Sequence, residues 1–115
     1  MSRGLIRVDG SHKIGLGHVM RCLAVAQGLT KAGIQSLLVI RDHEKSVSEL
    51  IQRYGYPVET VPHECSFETD ASLTIDILKQ NNCSFMVSDL SHPFNLERME
   101  EFTRFFAQIK KSDVF

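Results

Sequence analysis

The sequence predicts an α/β domain, a parallel sheet with helices on both faces, and three observations carry that prediction. Short apolar runs alternate along the chain with stretches of helical periodicity. Glycines stand where two of the helices should stop, at Gly33 and Gly55. Two more glycines and a histidine, in Ile14-Gly15-Leu16-Gly17-His18, fall at the junction of the first strand and first helix, where α/β folds place their chemistry.

The first strand, Gly4-Leu5-Ile6-Arg7-Val8-Asp9, is apolar and ends in an acid. Arg7 inside it requires a partner once buried, so an ion pair with an acid is expected. From Val19 to Leu29 strong helix formers predominate, which puts His18 in the first turn of a helix that Gly33 ends. Gln35 to Arg41 reads as a buried strand. A second helix opens near Ser46, where Ser46-x-x-Glu49 spells a capping box, and stops at Gly55. Pro57 to Val61 is a third strand, and a third helix runs from about Asp70 to Asn81 with Leu73, Ile77 and Leu78 on its apolar face. Phe85 to Asp89 is the fourth strand. A fourth helix is capped by Asn95 and directs Leu96, Met99, Phe102 and Phe106 to the core. Strands separated by helices pair in parallel through right-handed crossovers, and the expected order is 3-2-1-4. That order makes the first and fourth strands neighbours and aims Asp9 and Asp89 into the crevice beyond their carboxyl ends.

Each residue at the glycine turn suits a binding site. Gly15 and Gly17 open backbone conformations closed to other residues and let a ligand approach the main chain. The helix start beyond them offers orphan N–H donors and partial positive charge, a setting for an oxyanion or phosphate, and it favours His18 as the neutral imidazole that a general base must be. A capping histidine would occupy the same place without any chemistry. The turn is not the dinucleotide fingerprint, because the third glycine position is Met20. Asp9 either contacts the turn or His18, or simply organises the loop. Arg21, one turn after His18, faces the same cleft or extends into solvent.

Composition narrows the classes. Hydrophobic residues make up 43% and charged residues 23% of 115 residues, with net charge −1, which gives no electrostatic case for nucleic acid or an anionic membrane. There is no apolar run long enough to span a bilayer and no signal-peptide pattern. Cys22, Cys65 and Cys83 are odd in number and lack a CxxC, which predicts reduced thiols and a cytoplasmic setting. His63-Glu64-Cys65 has no ligand partner at suitable spacing, so no metal is expected.

Arg7-Val8-Asp9, the polar loop Gly10-Ser11-His12-Lys13, the turn Ile14-Gly15-Leu16-Gly17-His18 and then Arg21-Cys22-Leu23-Ala24-Val25-Ala26 together resemble a known signature. It is that of the nucleotide-sugar hydrolases of pseudaminic acid biosynthesis and the related spore coat polysaccharide biosynthesis proteins. The match covers roughly the first third of the chain. It implies a Rossmann-like parallel sheet forming the amino-terminal half of a glycosyltransferase-B type fold, similar to the lipid II-forming N-acetylglucosaminyltransferase. The reaction it implies is hydrolysis of a UDP-linked 2,4-diacetamido-2,4,6-trideoxy sugar to UDP and free sugar, without metal or other cofactor. By the same resemblance His18 is the general base, Gly15, Gly17, Asp9, Arg21 and Asp89 contact substrate, and a second domain holds most of the UDP. The sequence departs from the family after Asp89, where His92 arrives three residues after the acid and no Tyr-Gly follows.

A chain of 115 residues makes one domain, so residues 1–115 are expected to be the amino-terminal half of a two-domain enzyme, inactive alone and prone to self-association through its interdomain face. Three classes stay open: the hydrolase, a glycosyltransferase of the same fold, and a non-catalytic binding or association domain.

Overall fold

The elements run β1 (Arg3–Val8), α1 (Gly17–Lys31), β2 (Gln35–Arg41), α2 (Lys45–Arg53), β3 (Val58–Val61), α3 (Phe67–Gln80) and β4 (Phe85–Asp89). This is a computed structural model, and it describes residues 2–9, 16–41, 45–62, 64–89 and 107. The expected fourth helix beginning at Asn95, Gly15, and the loop carrying His92 lie outside the described residues.

The four strands form one all-parallel sheet in the order β3-β2-β1-β4. Alternating residues of the central strands serve opposite faces. Ile6, Val8, Leu38 and Ile40 pack with Val19, Cys22, Leu23 and Ala26 of α1 and with Val47 and Ile51 of α2. Leu5, Leu37 and Val39 pack on the other side with Leu78 of α3, Val61 and Cys83. Both faces are therefore covered, and β1 and β2 read as near-continuous apolar runs for that reason. The architecture is Rossmann-like α/β. The chain advances from β1 through β2 to β3 with α1 and α2 on one face, then α3 returns across the opposite face to lay β4 beside β1. Strand order thus reverses between β1 and β4, which opens a crevice beyond their carboxyl ends.

Helix ends follow local chemistry. Beyond α1 the N–H of Ile34 bonds the Leu29 carbonyl at 2.9 Å and that of Gly33 bonds Thr30 at 3.0 Å, a Schellman motif that needs the left-handed φ of +82° at Gly33. Asn82, at φ 54°, plays the same part after α3, where Cys83 N–H bonds Leu78 at 2.9 Å. The second helix starts where expected, at Lys45 beside Ser46. The expected start of the third is corrected. α3 begins at Phe67, three residues before the expected start: Ser66 is its N-cap, accepting from the Thr69 N–H at 3.1 Å, and Asp70 sits in the first turn.

Asp70 faces the sheet because two arginines meet it there. It is fully buried, as is Arg7, whose Nη2 lies 2.6 Å and Nε 3.1 Å from the carboxylate. Arg41 Nε reaches the same carboxylate at 3.0 Å and Thr74 Oγ1 donates to it at 3.1 Å. Burial alone would weaken the proton affinity of Arg7, but Asp70 and Asp9 reverse that effect and hold its pKa above the ordinary value. The partner that the apolar setting of Arg7 demands is thus a pair of acids, Asp70 and Asp9.

Candidate functional site

At the crevice between β1 and β4, α1 begins. Leu16 is its N-cap and contributes no side-chain cap, and its first turn holds no acidic residue, so the positive end of the helix is not neutralised from within. His18 is the second residue of that turn. Asp89 ends β4, in register with Val8 of β1, and so reaches the helix start.

The side chains converge there. His18 Nδ1 lies 2.8 Å from Asp89 Oδ1. Arg21, one turn along α1, grips the same carboxylate with two donors, Nε to Oδ2 at 2.8 Å and Nη2 to Oδ1 at 2.8 Å, and its Nη2 also lies 2.8 Å from His18 Nδ1. Cys22 Sγ stands 3.7 Å from Asp89 Oδ2. The His18 and Arg21 side chains are 31% and 62% exposed, so a ligand in the crevice can reach both, whereas Asp89 is 18% exposed and sits behind them.

Electrostatics fix the states of Asp89 and Cys22. Hydrogen bonds from Arg21, with His18 adding to them, hold the Asp89 carboxyl down to about 2 against the effect of its partial burial, so it is a carboxylate at neutral pH. Burial pushes the Cys22 thiol up to about 12, and the Asp89 charge adds to the rise. A nucleophilic cysteine requires the opposite shift. The cluster is therefore equipped for proton transfer at an exposed imidazole and for anion contact at Arg21, not for thiol chemistry.

The remaining expected site residues sort differently. Asp9 bonds Arg7 Nη1 at 2.8 Å and the backbone N–H of Arg41 at 3.2 Å, and it is Asp89 that meets His18. Gly17 takes ordinary helical backbone, which corrects the expectation of a special conformation there, and a Cβ on it would meet nothing within 4 Å. The fold therefore does not require a glycine there. Cys22 is the member that sequence reading left out, although its place four residues after His18 on one helix face was a usable signal. Among the described residues no group of three His, Cys, Asp or Glu is placed to hold a metal ion, and no helix is long and apolar enough to cross a membrane. A separate cavity of about 360 Å³ lies at the opposite end of the sheet, where Arg3, Ser36, Tyr54 and Tyr56 line it. Comparison with protein-family models, curated proteins and solved structures returns no match to the chain.

Proposed function

We propose that the chain is the base-bearing, amino-terminal domain of a nucleotide-sugar hydrolase on a glycosyltransferase-B type fold. Its substrate in this reading is a UDP-linked 2,4-diacetamido-2,4,6-trideoxy sugar, cleaved to UDP and free sugar in nonulosonic acid or surface polysaccharide biosynthesis. The observation that carries the reading is His18, a partly exposed imidazole on the first turn of α1, backed by Asp89 and beside Arg21 at the reversal of strand order. The sugar class rests on the resemblance of the segment from Arg7 to Ala26.

In this mechanism water attacks the anomeric carbon, its proton passes to His18, and the bond from that carbon to the phosphate oxygen breaks as UDP departs. The exposed guanidinium of Arg21 and the uncapped start of α1 attract the diphosphate. No acceptor other than water is required, which separates hydrolysis from glycosyl transfer in an assay without added acceptor. The test is His18→Ala in an active form of the enzyme, with UDP release followed. The expected loss is about 10²–10⁴-fold in turnover, the usual contribution of a general base, with folding preserved. Unchanged hydrolysis would remove His18 from the mechanism.

A further inference from the structure

Three atoms at the site form a nearly equilateral triangle: His18 Nδ1, Asp89 Oδ1 and Arg21 Nη2 are each 2.8 Å from the other two. Nδ1 carries either a proton or a lone pair, so it cannot donate to Asp89 and accept from Arg21 together. If it accepted from Arg21, its lone pair would face a carboxylate oxygen at 2.8 Å with no proton between them, a repulsive contact with a full negative charge. If it is protonated, the 2.8 Å approach of Nδ1 to Arg21 Nη2 sets donor against donor, but both aim at the carboxylate between them, and every contact to Asp89 becomes a donated hydrogen bond, from His18 Nδ1, Arg21 Nη2 and Arg21 Nε, with the Cys22 thiol beside them. A carboxylate has lone pairs for all four.

We infer that Asp89 is a positioning residue that fixes the proton of His18 on Nδ1 and thereby leaves the Nε2 lone pair as the base, while Arg21 locks the carboxylate in place. The assignment deepens the proposed function and rests on it for the use of the base, but the tautomer itself is a property of the free protein. Asp89 acts only through His18. Its orientation is rigid because two donors of one planar guanidinium hold both of its oxygens. Removing Asp89 would turn Arg21 Nη2 into a donor to Nδ1 and drive the proton to Nε2, silencing the base without disturbing its position. A wrong tautomer of this kind costs a comparable triad about 10⁴-fold in turnover.

The test is ¹⁵N NMR of the imidazole rings in the chain itself, at a pH where the His18 ring is neutral, with His18→Gln identifying its signals. The wild type is expected to show a protonated Nδ1 and an unprotonated Nε2. Asp89→Ala is expected to reverse that pattern, and Arg21→Ala to leave it. An Nε2-protonated ring in the wild type overturns the inference, and because that reading needs no variant it stands even if Asp89→Ala fails to fold. A folded Asp89→Ala that keeps the Nδ1 proton overturns it as well. The expected tautomers in a protein that turns over no UDP-sugar would uphold the role of Asp89 and sink the proposed function instead.

Discussion

At the scale of single residues, Gly17 separates what the fold needs from what a ligand needs. A Cβ there meets nothing within 4 Å, and the backbone is helical. Gly17→Ala should therefore leave the protein as stable or raise its stability by about 0.4–1 kcal/mol through the unfolded chain. That open place is available to a ligand, so in an active form of the enzyme the added methyl should lower substrate affinity if the turn receives one. Thermal melts together with substrate titration read the two effects apart, and intact affinity with raised stability would make the turn purely structural. His18 and Arg21 were legible as neighbours from their spacing of three on one helix. The Asp89 contact was legible only through topology, because 71 residues separate it from His18 and only the adjacency of β1 and β4 brings them together.

Among the elements, the strands were read almost to the residue; β1 and β2 are buried and so form near-continuous apolar runs bounded by turn residues. The start of α3 was not. Asp70, where the sequence places that start, lies inside the helix, held by Arg7 and Arg41 from 63 and 29 residues away. No local pattern reveals that an acid will be buried between two arginines; the apolar setting of Arg7 announces only that some acid must come. This network ties the ends of β1 and β2 to the first turn of α3. Asp70→Ala would leave the Arg7 charge fully buried with Asp9 as its remaining acid, and breaking a buried pair in this way costs about 3–5 kcal/mol. Against the total of about 5–15 kcal/mol usual for a domain, that loss should lower the urea midpoint sharply. A shift equivalent to less than about 1 kcal/mol would mean that the network contributes little to stability.

At the scale of the whole molecule, the candidate site lies at the carboxyl ends of β1 and β4. The strand order and the reversal between β1 and β4 followed from the alternation of elements, so the place of the crevice was readable before any coordinates. What covers that crevice was not, because covering contacts are set by tertiary structure and leave no local pattern. A nucleotide pocket buries most of its ligand, yet His18 is 31% and Arg21 62% exposed, and Met20 beside them is 43% exposed. The resemblance behind the proposed function implies that a second domain holds most of the UDP, with Arg21 and the start of α1 adding contacts to the diphosphate. On that reading the chain alone retains one imidazole, one arginine already paired with Asp89, and a helix start, too little to offset the entropy lost on binding. Calorimetry of the chain with UDP should therefore detect weak binding or none. The two-domain reading also expects self-association through the interdomain face, which a light-scattering mass would register as a species larger than the monomer. Micromolar UDP binding by a strict monomer would place the nucleotide site within these residues and overturn the division of labour between two domains.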